Sequence, residues 1–148
     1  MKVLAEDIRQ TVIESAEIIR SISLMEFDNK PSPTKWSKKE ILGHLVDSAQ
    51  NNLQRFVRAQ YENIPRIIYH QDEWVKLQHY KDYEREELIQ LWVSLNLHLC
   101  RTLSAMDPAN YEKQCDTGKP GTELHTLSFL ADDYLQHTRH HLAQITGE

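Results

Sequence analysis

Residues 36–57 read WSKKEILGHLVDSAQNNLQRFV, and their apolar spacing is that of a long amphipathic helix. Ile41, Leu42, Leu45, Val46, Ala49, Leu53, Phe56 and Val57 recur every three or four positions, the period of a helix with one apolar face. Ser37 followed by Glu40 is a capping-box signature: the serine hydroxyl meets an orphan amide of the first turn and the glutamate reaches back. A helix is therefore expected from about Lys38, fading before Pro65.

Three more stripes flank it. Val3, Leu4, Ile8, Val12, Ile13, Ala16, Ile19 and Ile22 predict a first helix, broken where Phe27 to Pro33 brings Asp, Asn and two prolines. Leu88, Leu91, Trp92, Leu95, Leu99, Leu103 and Met106 predict a third, stopped by Asp107 and Pro108. Leu127, Leu130, Tyr134, His137, His141 and Ile145 predict the last, with Gly147 as its C-terminal cap. The stretch from Glu62 to Tyr83 is long for a bare connection and has room for a short helix around Asp72 to His79. CDTGKPGTE, residues 115–123, reads as a loop. Four amphipathic helices bury their stripes together in a bundle. The expected fold is all-α: an up-and-down-like four-helix bundle with a short extra helix between the second and third long helices.

Composition agrees. The chain has 148 residues, the length of one domain, and 40% are hydrophobic, so residues 1–148 are read as a single helical-bundle domain. Only 4 Gly and 5 Pro are present, few for a fold built on tight β-turns. With 17 Lys and Arg against 22 Asp and Glu, the net charge of −5 argues against a nucleic-acid partner, which needs clustered cations to displace counterions from phosphate. No apolar run reaches membrane-spanning length, and MKVLAEDIRQ carries acids where a signal peptide is apolar. A cytoplasmic location without a membrane partner is expected, with Cys100 and Cys115 as free thiols, Cys100 on the polar side of its helix and Cys115 in a loop.

The chemistry is sought among 8 histidines. At about 100° per residue, His137 and His141 lie about 40° apart on the arc of Leu130, Tyr134 and Ile145, so both face the interior. Residues four apart stack on a helix, and two imidazoles so placed can converge on one ion. His44, at the edge of the second stripe, is the candidate third ligand. The plain alternative is three packed, hydrogen-bonded histidines. Asp47, Asp133, Tyr134 and Gln144 are candidates to orient the ligands from behind, and Asp47 could instead close the site as a fourth ligand. His98 could approach the site from the third helix, while His70, His79 and His125 fall in or beside loops. Trp36, Trp74 and Trp92 are read as core residues. No Glu-x-x-His, His-Glu-x-x-His or Gly-rich phosphate loop occurs, which sets aside di-iron carboxylate bundles, zincin proteases and P-loop enzymes.

KWSKKEILGHLVDSAQNNLQRF and DYLQHTRHHLAQI also resemble the DinB/YfiT-like superfamily of four-helix-bundle metalloproteins, through Trp36, Ser37, His44, His137, His141, Gln144 and Ile145. DEWVKLQHY and LIQLWVSLNLHL resemble the middle of such proteins. The resemblance implies a divalent ion, zinc or nickel, on three histidines with open positions, and frequent homodimers. It also implies a metal-dependent hydrolase or a low-molecular-weight-thiol transferase. Three neutral ligands leave the ion's charge uncompensated, which favours ionising a water or thiol. A thiol co-substrate would need cations for its carboxylates, and Arg55, Arg58 and Arg139 are candidates. The competing expectation is a non-catalytic dimeric stress-response or interaction module with a structural or vestigial metal site.

Overall fold

The computed structural model describes residues 1–147. The Ser37 hydroxyl accepts from the Glu40 amide at 3.2 Å while the Glu40 carboxylate accepts from the Ser37 amide at 2.8 Å. This capping box starts the helix at Lys38, as the sequence predicts. In chain order the helices are α1 (Lys2–Ser21), α2 (Leu24–Asp28), α3 (Lys38–Arg58), α4 (Gln71–Leu77), α5 (Arg85–Ala105) and α6 (Leu127–Thr146). Gly147 closes α6 at φ +81°, donating its amide to Ala143 O at 2.9 Å. A side chain there would be strained, so a glycine stops the helix.

The four long helices α1, α3, α5 and α6 form the bundle. Ile8, Val12 and Ile19 of α1, Leu42, Leu45, Val46 and Phe56 of α3, Leu88, Ile89, Trp92 and Leu99 of α5, and Leu127, Leu130 and Ile145 of α6 fill one core. Each such aliphatic or phenylalanine side chain, fully removed from water, contributes roughly 1.5–3 kcal/mol before chain entropy is subtracted. Val3, Ile13 and Val57, expected in the stripes, are exposed instead. They lie at the margins of arcs whose centres alone meet neighbouring helices.

The order around the bundle differs from an up-and-down arrangement. α1 packs on α5 and α6, and α3 packs on the same two, so α1 and α3 stand diagonally opposite, as do α5 and α6. Consecutive long helices need not be neighbours when their connections can cross the end of a bundle. Residues 22–37, 59–84 and 106–126 are long enough to do so.

Those connections are structured. α2 caps one end with Phe27 buried. α4 packs on α3 and stops at Leu77, where Gln78 and then His79, at φ +52°, turn the chain before the expected end. Residues 115–123, read as a loop, lie within an antiparallel hairpin of β1 (Gln114–Asp116) and β2 (Leu124–Thr126). Asp116 holds its turn, with Oδ1 accepting from the amides of Gly118 (3.0 Å) and Glu123 (2.9 Å). β1 also takes the α3–α5 connection alongside, through Ile67 N to Asp116 O at 2.9 Å and Asp116 N to Pro65 O at 3.0 Å. Cys115 is consequently buried, its thiol donating to Pro65 O at 3.1 Å. Cys100 is buried as well, against the polar-side expectation, and burial pushes its thiol up to about 11. Among the described residues, no helix is long and apolar enough to cross a membrane.

Candidate metal centre

α3 and α6 pack side by side, and this contact brings His44 to His137 and His141. His44 is fully buried. Its Nε2 lies 3.1 Å from Nε2 of His137, and one nitrogen from each of the three rings falls within 4.8 Å of the others. The rings meet edge to face, with centroids 4.6–5.1 Å apart. Two nitrogens bound at about 2.0–2.1 Å to one tetrahedral ion stand about 3.3–3.4 Å apart, so this spacing fits a shared ion. A cation would satisfy every lone pair in the cluster, whereas a proton between two imidazoles satisfies one.

The far sides of the rings differ. His141 Nδ1 lies 2.9 Å from Gln144 Oε1, an acceptor, so Nδ1 carries the proton and Nε2 keeps its lone pair. The Gln144 amide nitrogen lies 3.2 Å from His140 Nε2, which places the exposed His140 behind the site. His137 Nδ1 sits 3.4 Å from the Ser48 hydroxyl. His44 Nδ1 is buried with no hydrogen-bond partner among the described residues. Burial, then the neighbouring histidines and Lys119, lowers the His44 pKa to about 3. Burial, then the charges of His141, His140 and Arg55, lowers that of His137 to about 4, and burial lowers that of His141. Near neutral pH all three are uncharged imidazoles able to act as ligands.

Of the residues expected behind the ligands, only Gln144 hydrogen-bonds a site histidine among the described residues. The buried Asp47 carboxylate turns to the α4 side, where Oδ1 accepts from the Tyr80 hydroxyl at 2.5 Å and from the Gln78 amide, while Oδ2 has no partner among the described residues. Burial raises its pKa to about 6. Tyr134 points across the bundle and donates to Asn96 on α5. Asp133 is exposed on α6. His98 is exposed on α5 rather than near the site, because its helical position falls outside the buried arc. Arg58 pairs with Glu62, Arg139 is exposed, and only Arg55 of the three arginines is drawn inward, donating to Ile67 O and Asn52 Oδ1.

Aromatic rings flank the cluster. Trp36, which directly precedes the capping serine, lies 5.1 Å from the His44 ring, and Tyr69 lies 6.5 Å from it on another side. Trp36 is half-buried at the site, in place of the plain core position expected; Trp92 is core and Trp74 packs edge-on to Tyr69. Ser48 and Tyr69 were missed. The i+4 spacing from His44 could have found Ser48, but Tyr69 lies in a connection without periodicity.

A model of the DinB superfamily matches residues 8–145 of this chain. A relative in Bacillus mycoides, named "putative metal-dependent hydrolase", is 29% identical over 144 residues, 96% of this chain and 81% of the relative. One in Bacillus cereus with the same name is 27% identical over 143 residues, again 96% and 81% of the two chains. Among solved structures, the fold is similar to YfiT from Bacillus subtilis, described as a probable metal-dependent hydrolase with an unusual four-helix bundle topology. The TM-score is 0.88 at 20% identity, over 97% of this chain and 82% of YfiT.

Proposed function

This chain belongs to the DinB superfamily, and from that premise we propose that it is a metal-dependent hydrolase whose divalent ion is held by His44, His137 and His141. The facing Nε2 atoms of the buried His44 and the half-buried His137, 3.1 Å apart, carry the proposal. Neutral imidazoles suit zinc and nickel equally by donor chemistry, and both are compatible with three nitrogens and open positions. When bound, such an ion supplies Lewis-acid polarisation of a substrate oxygen and lowers the pKa of a water or thiol nucleophile. The chain's own residues do the rest. Gln144 fixes the His141 tautomer. Trp36 and Tyr69 flank the His44 ring, which is shielded from bulk water. The relatives' names favour water as the nucleophile over a thiol.

The test is elemental analysis of protein purified without an affinity tag, comparing wild type with His44→Ala. About one zinc or nickel per chain, lost in the variant, is expected for an open three-histidine site and would open a screen of ester, amide and thiol-transfer substrates. A wild-type protein that takes up no metal on reconstitution overturns the proposal and leaves the interaction-module reading in its place.

A further inference from the structure

Beside the histidines, a cleft of about 380 Å³ opens between α3, the Ile68–Tyr69 segment, the β1–β2 hairpin and α6. This is the size range of small-molecule sites. Its walls include Arg55, Tyr69, Lys119, Phe129, Leu130 and Asp133. Two of these tie it to the cluster. Tyr69 is the residue whose ring approaches His44, and Asp133 stands one turn before His137 on α6. We infer that this cleft binds the carboxylate of a small, partly apolar organic anion, with the Arg55 guanidinium as its main partner and the Lys119 ammonium as the second.

Arg55 is a half-buried cation that, among the described residues, hydrogen-bonds only neutral acceptors. Nε and Nη2 donate to Ile67 O at 3.3 and 3.0 Å, and Nη1 donates to Asn52 Oδ1 at 3.2 Å. A guanidinium has five N–H groups, so each Nη keeps one donor that a carboxylate can accept. A cation drawn from water without a contacting counter-ion is costly, and an incoming carboxylate removes that cost. The bonds to Ile67 O and Asn52 also hold the guanidinium in place before the ligand arrives, so little side-chain entropy is lost on binding.

Lys119 adds a second positive charge from the hairpin turn. Its Nζ donates to Tyr69 O and sits 5.6 Å from the Tyr69 ring centroid. The cleft's acids do not cancel these cations by contact. Glu123 is engaged with His125 at 3.1 Å, and Asp133 is exposed on α6 and makes no ion pair with Arg55 among the described residues. Asp133 disfavours a second negative charge and so selects a monocarboxylate. Phe129 and Leu130 provide the apolar wall for the rest of the molecule. The inference rests on the proposed metal site only for where the reacting end of that anion would lie.

The probe is 3-phenylpropionate against its neutral amide, titrated by calorimetry into metal-free and zinc-reconstituted protein. In the metal-free protein the acid is expected to bind saturably, at least about tenfold tighter than the amide, as hydrogen bonds to a charged group require. Arg55→Gln should remove that preference, Arg55→Lys should restore part of it, and Lys119→Gln should weaken it by a smaller factor. Lys119 lies on the exposed turn, so its variant reads the cleft even if Arg55→Gln fails to fold. Equal affinity for acid and amide, no saturable binding of either, or a preference untouched in both Arg55→Lys and Lys119→Gln overturns the inference. Stoichiometric zinc without carboxylate preference leaves the metal proposal standing alone. Carboxylate preference without zinc uptake does the reverse.

Discussion

Gly43 and the ring of Tyr80 share one place on α3: a Cβ at residue 43 would fall 2.2 Å from Tyr80 Cδ2 and 2.3 Å from Cγ. The missing side chain lets Tyr80 lie flat on the helix and reach Asp47 one turn later.

Gly43→Ala should therefore destabilise the protein, although alanine gains about 0.5–1 kcal/mol over glycine within a helix. Moving a buried ring costs typically about 1–3 kcal/mol, which exceeds that gain. Urea unfolding should show a lower midpoint than wild type, and an unchanged or raised midpoint would contradict the close approach.

Tyr80→Phe keeps the ring and deletes the donor, leaving the buried Asp47 with the Gln78 amide alone. The loss should be about 1.5–3 kcal/mol, the range for a hydrogen bond to a charged group. Equal urea midpoints for variant and wild type at about pH 7 would show that the hydroxyl contributes nothing.

His137→Ala removes a nitrogen from the centre of the cluster but places the best helix former in α6. Circular dichroism should stay helical while zinc uptake, followed by equilibrium dialysis, falls below stoichiometry. Full wild-type affinity in the variant would sink the ligand assignment.

Acidification should destabilise the metal-free protein. His44 and His137 have folded pKa values of about 3 and about 4 against an ordinary 6.5, so the unfolded chain binds more protons below that value. Their stabilising effect is complete above 6.5 and is lost as pH falls towards 4 and 3. Asp47 works in the opposite sense: raised from 3.8 to about 6, it stabilises below 3.8 and loses that contribution as pH rises through 6. Two histidines outweigh one carboxylate, so the urea midpoint should be lower at about pH 5 than at about pH 7, with a flatter slope in His137→Ala. A higher midpoint at the lower pH would reverse the sign of the prediction.

The three histidines were legible because α3 and α6 are long and periodic, and helical angle decides which residues face inward. His137 and His141 share an arc, and His140 does not, whatever the rest of the chain does. Cys100 shows the limit of that method. It lies at the edge of its arc, and the neighbouring helix, which the angle does not reveal, covers it.

The long helices, their caps at Ser37 and Gly147, and the inward face of each can be read from local spacing, since these depend on residues within about four positions of one another. Which helices are neighbours, that Asp47 serves Tyr80 rather than a histidine, and that Tyr69, Lys119 and Arg55 line one cleft are properties of the packed chain. These contacts join residues far apart in sequence through connections without periodicity. The cleft in particular needs the hairpin at Asp116 to hold the Pro65–Ile67 segment, a pairing with no local signal.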